Sequence, residues 1–453
     1  MKKFQTAVIA VFFAILLVPL LTFNFQPESV SQIDNRELSE NPFSSEVRAT
    51  LGLKEGMENY LQDRIGLRPQ MIEAYQVLND RLFGVMEHPT YAYGRDGYVF
   101  FKPTPNKTYG AYEETFGDFV VKLKDYCAAR ELPFRFVMEP KKESVVTEEL
   151  PVGYQYNDDW VFELMRSVTE RGVVCVDNIT YLQQLYRQGE PIFNRQYNAG
   201  HWNDLGAFYG VGHIIDSLKS DYPALRNNGM ADFSVSPALR TSLLVSRFPI
   251  SETEDVFTPA VLPQNLTSDY AGEVARDPSY PGFGYYVNSH RAAEGTPRVL
   301  IFQGSYMNGF GYKFMANAFG EYIFVHDYQN VLNAEYYVNL FQPDCVIFET
   351  AEYTVSETYY SQSGMADAAF QPAVSQLKDP QRVSVSQAEL PAEAGAHFVS
   401  VQCPQVPQGT AFAYLQVDGN TYDLENSSGV YEAVIPLNSY RDGVRFTVVY
   451  GDA

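Results

Sequence analysis

Two short segments carry residue types that together could transfer an acyl group. In Val299-Leu-Ile-Phe-Gln-Gly-Ser-Tyr-Met-Asn308, an apolar run ends at Phe302, Gly304 permits a tight bend, and Ser305 opens a helical pattern. This layout exposes a hydroxyl at the carboxyl end of a strand, and backbone N–H groups at the helix start could stabilise an oxyanion there. A serine opening a helix also serves simply as its N-cap. In Asn198-Ala-Gly-His-Trp-Asn-Asp-Leu-Gly206, Asn203 reads as an N-cap and Asp204 as a first-turn acid, so His201 and Trp202 sit just ahead of a helix. A histidine beside a glycine in a loop is available for proton transfer. Ser305 needs such a base within hydrogen-bond reach to become a useful nucleophile.

The elements around these segments form a recognisable alternation. Apolar runs of strand length at 134–138, 173–177, 299–302, 322–326 and 345–349 interleave with helical patterns at 157–171, 203–218, 308–319 and 331–341. Such a chain predicts an α/β domain with a five-stranded parallel sheet covered on both faces, which binds ligands beyond the carboxyl ends of its strands. We read this domain over 93–371, with a β-rich insertion at about 227–297, behind a helical stalk at 28–92. Residues 372–453 carry short alternating runs and an Asp418-Gly419-Asn420 hairpin signal, the pattern of a small β-sandwich-like module.

Composition narrows the partners. With 33 basic and 55 acidic side chains the formal charge is −22, which excludes a nucleic-acid partner and mildly favours a neutral glycan unless the cleft is locally basic. Cys127, Cys175, Cys345 and Cys403 form no CxxC pair, so no metal or dithiol site is expected, and buried free thiols are. Lys2 and Lys3 precede an apolar run at 7–25, long enough to span a bilayer, and no small-x-small cleavage site follows it. Residues 1–27 therefore read as an uncleaved signal anchor with a cytoplasmic N-terminus and everything after it outside the cell membrane. A cleaved signal peptide is the alternative.

Further landmarks follow one another along the chain. They are Asn35-Arg36-Glu37-Leu38 with Pro42; Asp63-Arg64 through Arg68; Arg95-Asp96-Gly97-Tyr98-Val99-Phe100; and Pro140 and Lys142 with Leu150-Pro151. His201-Trp202 with Gly206, Gln303-Gly304-Ser305, and Pro343-Asp344-Cys-Val-Ile-Phe-Glu349 complete the series. In this order the chain resembles the SGNH-hydrolase-like proteins that O-acetylate cell-envelope polysaccharides, the alginate O-acetyltransferase group and its DHHW relatives. The resemblance covers about two-thirds of the sequence and implies an SGNH-like three-layer fold. It implies that Ser305 attacks an acetyl donor, His201 takes the proton, and a polysaccharide hydroxyl receives the acetyl group. It also implies a membrane-bound O-acyltransferase partner that delivers acetyl groups, and no soluble cofactor.

Two positions depart from the pattern. Ala199 stands where the family has an aspartate two residues before the histidine, and Gly304 stands at the aspartate of G-D-S. Loss of the acid that orients the imidazole costs on the order of 10⁴ in rate in serine triads. Asp177, Asp327 and Asn198 are the candidate substitutes, with Asp204 expected at its helix N-terminus instead. Gly304, Asn308, Tyr328 and Trp202 are candidates for the oxyanion site or pocket, and His326 is an alternative base. Glu349 and Glu352, after the last strand, either bind a hydroxyl-rich ligand or are solvated. The departures leave a second reading open, a catalytically degenerate relative that binds glycan or scaffolds an envelope assembly.

Overall fold

The computed structural model describes residues 2–25, 30–31, 36–244, 246, 248–274, 282–326 and 328–453. The chain opens with α1 (Lys2–Leu21), whose 18-residue apolar stretch is long and apolar enough to cross a membrane. A short helix at Ser45–Thr50 follows, then α2 (Gly52–Arg64) and α3 (Arg68–Phe83). The turn between them touches the end of α1, where Gly66 N–H donates to the Pro19 carbonyl. Next come the hairpin strands β1 (Tyr91–Tyr93) and β2 (Val99–Phe101). The boundary read at 92/93 therefore cuts a hairpin. Tyr91 is buried against Val99 and Phe248, which fixes it to the body of the protein rather than to a stalk.

The α/β domain runs through α4 (Ala111–Ala129), β3 (Phe134–Glu139), α5 (Asp159–Glu170), β4 (Cys175–Asp177), α6 (Asn178–Arg187) and α7 (Asp204–Leu218). After a long two-stranded ribbon of β5 (Phe233–Ser242) and β6 (Pro249–Pro259) come β7 (Gln264–Asn265), α8 (Thr267–Val274) and β8 (Phe283–Val287). The domain then closes with β9 (Arg298–Phe302), α9 (Tyr312–Ala318), β10 (Glu321–Val325), α10 (Ala334–Phe341) and β11 (Cys345–Ala351). Its sheet has seven strands in the order β4-β3-β11-β9-β10-β8-β7, not five. The five expected strands are mutually parallel; β8 pairs antiparallel with β10 and β7 pairs antiparallel with β8, both from within the segment read as an insertion. Gly284 makes that extension possible, because a Cβ there would lie 2.1 Å from the Phe324 ring of β10.

Alternation along each strand sends side chains to two cores. Leu300 and Phe302 of β9 face α4, α5 and α10, whereas Val299 and Ile301 face α7 and α9. The sheet is thus sandwiched between helices, and its carboxyl edge is left to loops. Residues 378–452 form two four-stranded antiparallel sheets packed on their own core. This module is fastened to the domain at Asp423, which pairs with Arg130 at 2.8 Å and accepts from the Tyr126 hydroxyl, while its backbone N–H donates to Asn339 Oδ1 and its carbonyl accepts from Asn339 Nδ2. All four cysteines are free.

Candidate active site

The carboxyl ends of β9 and β11 are neighbours, and this adjacency builds the site. Beyond β9 the chain turns at Gly304 and enters a helix whose first turn is wound as a π-turn at Met307–Gly311, a device frequent at functional sites. Ser305 sits at its start. His201 arrives from the loop ahead of α7, and its Nε2 lies 2.7 Å from Ser305 Oγ. Two loops about a hundred residues apart in sequence are thereby brought to hydrogen-bond contact.

Buried ties hold the two loops together. The Tyr306 hydroxyl donates to the Gly200 carbonyl at 2.7 Å and also to that of Pro140, and its ring packs 4.7 Å from the imidazole. Lys142, fully buried, donates to the carbonyls of Val99 at 2.8 Å and Asn198 at 3.1 Å. Burial pulls its amine down to about 7. Trp202 is fully buried and packs edge-to-face on Tyr306, its indole N–H 3.3 Å from the Tyr306 carbonyl. Trp202 is therefore a core wedge between the loops and not a pocket wall.

The orienting candidates fall elsewhere. Asp177 caps α6, bonded to the Thr180 N–H and hydroxyl. Asn198 Oδ1 accepts from the N–H groups of Gly200 and His201, so it shapes the loop and not the ring. Asp204 pairs with Lys313 at 2.6 Å and accepts from Phe257 N–H, a stronger draw than its own helix terminus. Asp327 lies outside the described residues. Ala199 packs into an apolar cluster with Met86, Tyr91, Val99 and Phe248. Among the described residues no carboxylate comes within 4.0 Å of His201.

In place of an acid the site has phenols. The Tyr353 hydroxyl bonds Ser305 Oγ and lies 3.2 Å from His201 Nε2. Tyr328 covers Gly304, with Ser305's hydroxyl and backbone as hydrogen-bonding neighbours, and burial pushes its phenol up to about 12. Both are therefore protonated at neutral pH and able to donate to developing negative charge. Asn308 is exposed and bonds only through its backbone, to the Gly304 carbonyl. His326 Nδ1 donates to the Gln303 carbonyl, which occupies that nitrogen away from Ser305. The sequence reading passed over Tyr353 and Tyr306. Tyr353 follows Glu349 by four residues, and the rule that sites lie beyond strand ends was the signal for it.

Glu349 and Glu352 are both buried, which overturns solvation. The Gly304 N–H donates to Glu349 at 2.5 Å, so that N–H is not free for an oxyanion. A Cβ at position 304 would come within 3.3 Å of the Tyr328 ring and 3.5 Å of the Glu349 carboxyl. The glycine thus leaves room for a carboxyl reaching in from β11. Burial raises Glu349 and its neighbour Glu139, and Glu349 raises Glu139 further, so the two do not both ionise side by side. Glu349→Ala strands the Gly304 N–H beneath the serine and is expected to cost about 1–3 kcal/mol. Glu349→Gln keeps an uncharged acceptor and is expected to stay within about 1 kcal/mol of the parent in chemical denaturation.

His201 is held neutral by burial, its pKa pulled from 6.5 down to about 4. A group depressed in this way contributes stability above its unfolded pKa that is lost as pH falls toward the folded one. The fall is worth about 3 kcal/mol between pH 6.5 and 4. Denaturation curves of the parent and His201→Gln are expected to diverge by that amount across this window. A constant difference would refute the assignment.

The chain is similar to PatB1 of Bacillus cereus at 17% identity and a TM-score of 0.43, covering 61% of this chain and 98% of that one. It is similar to a DHHW family protein of Eubacterium siraeum at 14% and 0.42, covering 61% and 94%. It is also similar to the O-acetyltransferase domain of Pseudomonas putida AlgJ at 15% and 0.41, covering 62% and 100%. No protein-family model and no curated protein matches the chain.

Proposed function

We propose that this chain is a membrane-anchored, extracytoplasmic O-acetyltransferase or acetylesterase acting on a cell-envelope polysaccharide. The observation that carries the reading is the 2.7 Å contact of Ser305 Oγ with His201 Nε2 at the carboxyl edge of the sheet. With its proton on Nδ1, the imidazole accepts the serine proton as Oγ attacks the carbonyl of an acetyl ester. The donor alcohol leaves with that proton, and the acetyl group remains on Ser305. A sugar hydroxyl, or water in the esterase case, then attacks the acetyl-serine, gives its proton to His201, and frees the serine. Tyr328 and Tyr353 donate to the oxyanion of each tetrahedral intermediate. Acetyl groups reach the site from a membrane-bound O-acyltransferase partner, and no soluble cofactor takes part. Helix α1 anchors the chain with its N-terminus in the cytoplasm.

The absence of a carboxylate at His201 among the described residues favours a second reading, a non-catalytic relative that binds glycan. One experiment separates them. The purified full-length chain is expected to turn over an acetyl ester and to be labelled at Ser305 by a serine-directed phosphonate. A chain that does neither is a binding protein.

A further inference from the structure

The loop that ends at His201 is gripped from two sides. On one side lies the ribbon of β5 and β6. The Glu252 carboxylate of β6 accepts the backbone N–H groups of Arg195 at 2.6 Å, Gln196 at 2.9 Å and Tyr197 at 2.6 Å. Successive N–H groups aimed at one carboxylate make charge-assisted bonds, shorter and stronger than neutral ones. The neighbouring Glu254 accepts from the Asn194 side-chain amide at 2.7 Å and pairs with Arg240, whose guanidinium lies 4.5 Å over the Tyr197 ring. Just past β5, the Leu244 N–H donates to the Tyr197 carbonyl at 2.9 Å.

On the other side stands Lys142. Besides Val99, its ammonium reaches the carbonyls of Arg195 at 3.3 Å and Asn198 at 3.1 Å. The loop thus gives N–H groups to an anion and carbonyls to a cation. Glu252 is also the charge that most favours the ammonium of Lys142 against its burial. The Asn198 side chain carries the constraint onward, because its Oδ1 accepts from the N–H groups of Gly200 and His201. A serine triad orients its imidazole with an aspartate on the ring. Among the described residues no carboxylate reaches this ring, so its orientation comes from its own backbone and from packing against Tyr306.

We propose that Glu252 is a positioning residue for His201: with Lys142 opposite, it clamps residues 194–198 in the shape that sets the imidazole against Ser305 Oγ, the orienting task that a triad gives to an aspartate. The ribbon, read in the sequence as part of an insertion, is then a working part of the site. The proposal rests on the reading of Ser305 and His201 as an acyl-transfer dyad.

Glu252→Gln tests it, because an amide keeps one acceptor oxygen and turns an NH2 group toward the N–H groups that met the other. Labelling of the full-length chain in nanodiscs by a serine-directed phosphonate yields an amplitude and a rate. The amplitude counts chains with a folded site, and the rate reports how well His201 activates the serine. Glu252→Gln is expected to label to the parent's amplitude about tenfold or more slowly, and Glu252→Asp to fall between the two. Lys142→Met is expected to slow labelling likewise, and the double variant to be no slower than the slower single one. An unchanged rate in Glu252→Gln, with or without a lower amplitude, or multiplied losses in the double variant would overturn the proposal. Amide hydrogen exchange gives a reading that needs no chemistry at Ser305. The N–H groups of Gly200 and His201 bond to Asn198 and not to Glu252, yet they are expected to exchange about tenfold faster in Glu252→Gln. Unchanged exchange at these two amides would overturn the clamp. A parent that takes no label defeats the dyad reading, and exchange alone then decides whether the clamp stands.

Discussion

Ser305→Ala is expected to reduce acetyl-ester turnover by about 10³-fold or more, and to remove the acetyl group that mass spectrometry should find on the peptide containing Ser305. His201→Ala is expected to cost about as much, and the double variant no more than either. The serine is inert without a base, and the base has nothing to deprotonate without the serine. Stability should separate from activity. Removal of the Ser305 hydroxyl leaves Tyr353 still 3.2 Å from His201 Nε2, so the imidazole keeps a partner. Unfolding free energy should therefore move by no more than about 1 kcal/mol. Additive losses in the double variant would mean that the two residues do not act as a unit.

The second large effect runs against the intuition of repair. Ala199→Asp restores the side chain that the resembling family carries two residues before its histidine. In this fold Ala199 is buried in a cluster with Met86, Tyr91, Val99, Leu243 and Phe248. A carboxyl placed there is either desolvated as an anion or forced neutral. A rise of three or more units in its pKa costs about 4 kcal/mol at neutral pH. The variant is therefore expected to melt earlier and to turn over acetyl ester no faster than the parent. A rate gain would show that the loop can rotate to present position 199 to the imidazole.

Ser305 and His201 were legible because each is announced locally. A strand that stops at a glycine and a loop that stops at an Asn N-cap need no knowledge of the rest of the chain. Glu349, Tyr353 and Tyr306 carry no such mark. Their roles exist only because β11 lies beside β9 in space and because the helix after Ser305 packs under the His201 loop. The orienting substitutes failed for a related reason. Asp177 and Asp204 had closer donors in Thr180 and Lys313, and a carboxylate takes the nearest good partner before a distant functional one. The five parallel strands followed from their apolar runs, whereas β8 pairs antiparallel with β10 and carries β7 on its far side, a pairing that a regular strand–helix alternation does not announce.

The fastening at Asp423 governs how the whole molecule comes apart. Arg130 belongs to the α/β domain and Asp423 to the β module; Asp423 is buried at their contact and Arg130 partly so. Separating the two bodies would break this ion pair together with the bonds that Asp423 makes to the Tyr126 hydroxyl and the Asn339 side chain. Melting should thus be a single cooperative event spanning the α/β domain and the module. Truncation ahead of the module is expected to produce an aggregation-prone fragment in place of a smaller folded protein.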